Sequence, residues 1–381
     1  MTSRKSAPRI LICSNTAWSV YNFRRSLIVA LIADGYEVVV VAPPDEYAEK
    51  LPGLGCRYIP LPMDNRGTSP LRDLRLLLRF WQMLRRERPV AYLGYTIKPN
   101  VYGSLAAHSL GIPVINNIAG LGAAFIRASW LTEVAKLLYR LALGRSQRVF
   151  FQNREDRELF IAKRLVREAQ AGLLPGSGVD LARFSPAPPR PADGEIRFLL
   201  VARMLWDKGV GEFVEAARRT RRAHPEARFQ LLGFLDVPNP AAIERSVVEG
   251  WVAEGVVEYL GVTEDVRPHL AAADCVVLPS YREGLSRSLI EAAALGRPLI
   301  ATDVPGCREV VDDGVNGFLV APRDATPLAA ALATFCSLTM AQRTRMGASS
   351  RQKAVSEFDE TVVVDRYRHE ITRAINARKR S

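Results

Sequence analysis

Short runs of apolar residues recur along this chain, each followed by enough sequence for a helix, and they fall into two sets separated by a stretch that suits neither element. The first set is residues 9–13, 37–41, 57–61, 91–95, 113–115 and 148–151, and the second is residues 197–201, 228–232, 256–260, 275–278 and 298–301. Runs that stay apolar throughout mark strands buried on both faces, which means parallel sheets covered by helices. The interruption is LPGSGVDLARFSPAPPRPADG, residues 174–194, where prolines, glycines and small residues crowd together as in a hinge. The chain therefore reads as α/β, with two Rossmann-like domains facing across a cleft. The boundaries are 1–173, a linker at 174–194, 195–358, and a closing helix at 359–381 that returns to the first domain. A length of 381 residues fits two such domains.

Ligands of open parallel sheets collect at the carboxyl ends of the strands, so candidate chemistry is sought there. In FLLVARMLWDKG the strand ends at Arg203 and Lys208, two fixed cations placed where a departing diphosphate would develop charge. A second signal is SYREGLSRSLIEAAALGRPLIATDVPG, which follows the strand CVVLP and spaces Glu283 and Glu291 by seven residues. Glu283 falls in the loop before a helix whose first amides, near Gly284, Leu285 and Ser286, suit a phosphate. Glu291 falls within that helix, where its carboxylate can accept bonds from two ribose hydroxyls. Ordinary packing roles are the alternative for each residue taken singly: a solvated strand-end arginine, or an acid favoured by the helix dipole.

These motifs, with the flanking strands, resemble the family 4 glycosyltransferases of the retaining GT-B type, over nearly the whole length. The resemblance implies that Glu283 contacts the donor sugar and Glu291 holds the ribose, with Gly284, Leu285 and Ser286 offering backbone to sugar and phosphate. It also implies that Gly233, Phe234 and residues 260–262 frame the nucleobase, and that Glu309 of VPGCREVVDDGVNGFLV lies near the donor. More narrowly, SNTAWSVYNFR, YTIKPNVYGSLAAHSLGIPVINNIAGLG, FFQNREDRELF and LPGSGVDLARF resemble the branch that builds bacterial surface glycans on polyprenyl-diphosphate carriers. That branch includes transferases that add N-acetylgalactosamine to a bacillosamine-bearing lipid. The chain departs from the family in two places. Ala119 stands where many members have a histidine, and the first loop, read as residues 15–22, lacks paired glycines. Asn15, Lys98 and Asn117 are the candidates for compensating contacts to acceptor or sugar.

The basic excess, +12 at neutral pH, calls for a polyanionic partner. No nucleic-acid-reading motif is present, which leaves nucleotide sugar, a polyprenyl-diphosphate-linked acceptor and an anionic membrane surface. Two basic amphipathic stretches suit that surface. Residues 71–88 carry Arg72, Arg75, Arg79, Arg85 and Arg86 among leucines, Phe80 and Trp81; residues 125–148 carry Arg127, Lys136, Arg140 and Arg145 beside Trp130. Ordinary packed helices with solvated faces are the alternative. Arg79, Lys136 and Arg140 interrupt the best apolar stretches, so no membrane span is expected. Five scattered cysteines without a CxxC pair, and an apolar run at 10–13 too short for a signal peptide, suggest a reducing cytoplasm.

No DxD pair stands at a suitable strand end, and His108, His224, His269 and His369 are dispersed, so neither metal nor cofactor is expected. By resemblance the transfer proceeds with retention, by front-face departure and attack, the leaving phosphate oxygen taking the acceptor proton. The expected activity is transfer of a UDP-linked hexose or N-acetylhexosamine at the inner face of the cytoplasmic membrane. A nucleotide-sugar epimerase of the same fold and a non-catalytic nucleotide-sugar-binding protein are the alternatives.

Overall fold

The computed structural model describes residues 7–64, 69–120, 130–186 and 193–380, without the side chains of 130–132 and 378–380. Two parallel sheets form from the apolar runs. The first contains β1 (Arg9–Cys13), β2 (Glu37–Ala42), β3 (Arg57–Pro60), β4 (Ala91–Tyr95), β5 (Val114–Ile118), β6 (Arg148–Phe151) and β7 (Ala171–Leu173), in the order β3-β2-β1-β4-β5-β6-β7. The second contains β8 (Ile196–Val201), β9 (Ala227–Leu232), β10 (Glu258–Tyr259), β11 (Cys275–Leu278), β12 (Leu299–Thr302) and β13 (Gly317–Val320), in the order β10-β9-β8-β11-β12-β13. In both, the order reverses beside the first strand, the arrangement of a Rossmann-like sheet. Ile10 to Cys13, Val38 to Val41 and Cys275 to Leu278 are almost wholly buried, as strands covered by helices on both faces must be.

The structure revises four sequence readings. First, β5 continues through Asn116 and Asn117 to Ile118, beyond the strand read at residues 113–115. The asparagine amides are satisfied inside: Asn116 Nδ2 donates to Asn100 Oδ1 and Ser104 Oγ, both at 2.9 Å, and Ser146 Oγ donates to Asn116 Oδ1 at 2.6 Å. Second, the loop after β1 is short. Thr16 Oγ1 accepts from Ser19 N at 3.1 Å, capping a helix at Ala17–Ala33, so Ala17 to Asn22 are helical. Third, β10 pairs over two residues where five were expected, because Val256 and Val257 turn into the core beneath the sheet edge. Fourth, the short edge strands β7 and β13 went unread.

The chain divides into one unit of residues 1–177 with 360–381, and a second of residues 178–359. Most of the proline-rich stretch belongs to the second unit. Val179 N donates to Phe358 O at 2.8 Å, and Val179 and Phe184 join the core around Leu199 and Leu289. Helix Glu360–Arg380 packs on the first unit, where Val363, Tyr367 and Ile371 enter the core with β1, β2 and β4. The fully buried Tyr367 ring lies 5.2 Å from Phe150, and Glu370 pairs with Arg148 at 2.7 Å.

Candidate active site

In the second unit, the loops leaving β8 and β11 interlock at their carboxyl ends. After β8 the backbone forms a single 3-10 turn, Trp206–Lys208, and enters helix Val210–Ala223 through Gly209, which has φ +71°. A Cβ at Gly209 would lie 2.0 Å from Pro279 O, immediately after β11. Tyr281 N donates to Asp207 O at 2.9 Å, closing the approach from the other side. Only glycine allows the two loops to come this close.

That approach pairs Lys208 with Glu283. Lys208 Nζ lies 2.5 Å from Glu283 Oε1, and Ser280 Oγ donates to the same oxygen at 2.7 Å. Both charged side chains are mostly buried, 19% and 14% exposed, so solvent screens the pair little. Glu283 Oε2 and the remaining ammonium hydrogens have no partner among the described residues. The Glu283 loop is held from behind: Glu283 N donates to Pro305 O, Ser286 N donates to Gly306 O, and Gly306 N donates to Glu309 Oε2 at 2.6 Å. Gly306 has φ +81°, and a Cβ there would meet Glu283 Cβ at 2.7 Å. Glu309 thus orders the loop behind Glu283. Burial first, and the Glu283 carboxylate second, push the Cys307 thiol up, so it is a neutral neighbour and no nucleophile.

Ser286 caps helix Arg287–Ala294 by accepting from Leu289 N at 3.4 Å, and Gly284 and Leu285 lie in the approach to that helix. Its first amides face the carboxyl edge of the sheet, a position that favours an anion. Glu291 is 9% exposed; its Oε1 accepts from Arg287 Nε at 2.6 Å, and its Oε2 has no partner among the described residues. Arg203 is exposed and unpaired among the described residues. Gly233 follows β9, where its N donates to Gly261 O at 2.9 Å, and Phe234 is 44% exposed while its carbonyl holds Met204 N.

The candidates in the first unit are spread more widely. Asn15 lies two residues beyond the end of β1. Lys98 follows β4 and pairs with Asp73 at 2.7 Å, bordering a cavity of about 370 Å³ lined also by Asp64, Arg72, Arg75 and Arg79. Thr96, between β4 and Lys98, holds φ +67°, a strained backbone for a β-branched residue. Asn117 is fully buried: its Nδ2 bonds Tyr367 Oη at 3.2 Å, its carbonyl accepts from Asn100, and its Oδ1 accepts from Gln152. That internal use displaces the contact expected of it. Arg127 lies outside the described residues.

Among the described residues, His224, Glu226 and Cys336 place three potential metal-ligand atoms within 4.8 Å of one another. This grouping lies at the amino end of β9, the opposite edge of the sheet from Lys208, and Arg343 already offers it a positive charge. The residues that sequence reasoning missed are Gly209, Ser280, Gly306 and Arg287. The turn signals DKG and VPG marked the two glycines, but nothing local marked what they approach.

Known proteins share this organisation. Residues 195–337 match the family described as "Glycosyl transferases group 1", and residues 22–176 match the "Glycosyl transferase 4-like domain". The chain is 28% identical over 376 residues to the N,N'-diacetylbacillosaminyl-diphospho-undecaprenol alpha-1,3-N-acetylgalactosaminyltransferase of Campylobacter jejuni, covering 94% of this chain and 97% of that one. It is 25% identical to the UDP-Gal:alpha-D-GlcNAc-diphosphoundecaprenol alpha-1,3-galactosyltransferase of Escherichia coli, covering 68% and 69%. Among solved structures, the sucrose-phosphate synthase of Thermosynechococcus elongatus shares the fold with a TM-score of 0.80 at 23% identity, covering 97% of this chain and all of that one. Anabaena HepE, solved with UDP-glucose, does so with a TM-score of 0.78 at 18% identity, covering 97% and 99%. Both halves of the sequence match glycosyltransferase domains and both sheets of the structure share their fold, so the chain is a glycosyltransferase of the GT-B fold.

Proposed function

We propose that this enzyme transfers a hexose or N-acetylhexosamine from a nucleotide sugar, a UDP-sugar by preference, to a polyprenyl-diphosphate-linked sugar, with retention and without a metal. The observation that carries the reading is the Lys208–Glu283 pair beside the exposed Arg203 at the carboxyl end of β8. In the free enzyme Glu283 neutralises part of the Lys208 charge. When the donor binds, the diphosphate takes up the remaining ammonium hydrogens and the Arg203 fork, and Glu283 Oε2 is left to accept from a sugar hydroxyl. As the glycosidic bond breaks, charge accumulates on the phosphate oxygen between these cations, which stabilise it as a metal would. That oxygen then takes the acceptor proton on the same face. Glu291 Oε2 accepts from the ribose. The full-length relative from Campylobacter supports a lipid-diphosphate acceptor, which Asn15 and Lys98 would meet in the first unit.

Two exposed ridges support a peripheral membrane position. Helix Pro70–Glu87 turns Leu71, Leu74 and Leu78 outward, 70%, 54% and 52% exposed, between Arg72, Arg75 and Arg79. Helix Trp130–Leu143 exposes Val134, Leu137 and Leu141 at the same spacing beside Arg140. Leucines at that spacing share one face, and flanking arginines reach lipid phosphates. Among the described residues no helix is long and apolar enough to cross a membrane. Replacing Leu71, Leu74 and Leu78 with serine should weaken binding to anionic vesicles about 100-fold, at roughly 1 kcal/mol per leucine. Turnover with a detergent-soluble short-chain acceptor should be retained, as vesicle flotation and a soluble assay would establish together.

The reaction is tested by following nucleoside diphosphate release from a panel of UDP- and GDP-sugars with EDTA present, with and without polyprenyl-diphosphate-linked acceptors. Release dependent on one donor and on the lipid, with an axial-to-axial product by NMR, is expected; dependence on added metal or an inverted product would refute the mechanism. Glu291→Gln should weaken UDP binding about 10-fold with turnover largely kept. Calorimetry with UDP reads the first effect and saturating kinetics the second.

A further inference from the structure

Arg24 is a buried cation without a counter-ion. It lies on the inner face of helix Ala17–Ala33, only 7% exposed, and has no carboxylate within ion-pair distance among the described residues. Its guanidinium carbon sits 4.2 Å above the Tyr95 ring. Nη1 is buried with no hydrogen-bond partner, and so is the Tyr95 hydroxyl. Burial first, and the neighbouring Tyr367 hydroxyl second, push the Tyr95 phenol up, while Tyr367 Oη itself accepts from Asn117 Nδ2. A guanidinium does not shed its proton on burial, and an aromatic face offsets only part of the cost of removing the charge from water. The Arg24 Nη1 donors, stacked on a Tyr95 whose hydroxyl has only the neutral Tyr367 hydroxyl beside it, thus lack an acceptor carrying negative charge.

Their place in the fold indicates what the acceptor is. Tyr95 ends β4 and is in register with Asn117 of β5, at the carboxyl edge of the first sheet. The helix carrying Arg24 starts at that edge, and helical side chains lean towards the helix N-terminus, so Arg24 reaches back to where ligands of such sheets bind. No residue of the donor site in the second unit takes part.

We propose that Arg24 and Tyr95 form an oxyanion site that receives a phosphate group of the acceptor, with Nη1–H and the phenolic O–H both donating to it. The identity of the ligand, though not the existence of the site, rests on the acceptor reading above. The full chain is titrated with inorganic pyrophosphate in the presence of saturating UDP, which fills the donor site, and separately with a farnesyl-diphosphate-linked sugar. Wild type should bind both. Arg24→Met should weaken both about 100-fold and Tyr95→Phe about 10-fold, while UDP affinity is unchanged. The ligand-free Arg24→Met protein should melt no lower than wild type, since it loses an uncompensated charge. In turnover, both variants should raise KM for the lipid acceptor more than they lower kcat. Should Arg24→Met not fold, Tyr95→Phe alone decides. Wild-type affinity and acceptor KM in the folded variants would overturn the site while leaving the transferase reading intact. Arg24-dependent pyrophosphate binding in an enzyme that transfers to no lipid acceptor would keep the site, assign it to a free phosphate, and overturn the acceptor reading.

Discussion

Lys208→Ala is expected to lower kcat by about 10²- to 10³-fold, the cost of removing one preorganised charge from a developing oxyanion. The loss should appear equally in kcat and in kcat/KM, because the interaction strengthens as the sugar–phosphate bond breaks. The same substitution strips Glu283 of its ion pair and leaves its Oε1 with Ser280 alone. Glu283→Gln separates the two effects. It keeps an acceptor for Ser280 and removes the charge, so if Lys208 acts mainly by positioning Glu283, the single and double variants should fall together. If Lys208 acts on the phosphate, the double variant should be slower than either. Lys208→Arg should not restore the rate, since a planar fork cannot replace a compact ammonium beneath the Glu283 loop. Single-turnover kinetics with a saturating donor decides between these outcomes.

Gly209→Ala should be among the most damaging single methyl groups in the second unit. At φ +71° a side chain costs about 1 kcal/mol in backbone strain, and its Cβ would overlap the Pro279 carbonyl, a backbone group with no alternative rotamer. A total of about 3–4 kcal/mol is expected, together with separation of Lys208 from Glu283 as the loops move apart. Gly250→Ala makes the control. Gly250 sits in helix Arg245–Ala253 with nothing within 4 Å of the added carbon, and alanine there should stabilise the protein by about 0.5–1 kcal/mol. Urea unfolding of both variants checks the difference. Equal stabilities would show that the two loops accommodate the methyl group and that their interlock does not hold the site.

What could be read from the residues follows from where the information is local. Strands such as β1, β4, β6 and β11 announce themselves because burial on both faces demands an unbroken apolar run. Two-residue β10 and the short β7 carry too little of that signal. In the site, Arg203, Lys208, Glu283 and Glu291 stand out by their position after apolar strands. Lys208 and Glu283 suggested separate tasks, one for phosphate and one for sugar. Their pairing depends on a contact between Gly209 and Pro279, which are remote in sequence and marked by nothing but a glycine. Asn117 misleads in the opposite way: an amide at a strand end looks like a ligand contact, yet Tyr367, 250 residues away, uses it. Arg24 was illegible because it follows directly on residues 15–22, read as a loop, and only the phase of the helix that forms there places one of the two adjacent arginines inward.

The return of helix Glu360–Arg380 to the first unit gives the order of assembly during synthesis. The second unit is contiguous, residues 178–359, and can fold as soon as it clears the ribosome. The first unit is made earlier but must wait for Tyr367 and Ile371 to finish its core. Until then the faces of β1, β2 and β4 that these residues cover stay open, so the unit made earlier is the one that closes later and is more in need of chaperone protection.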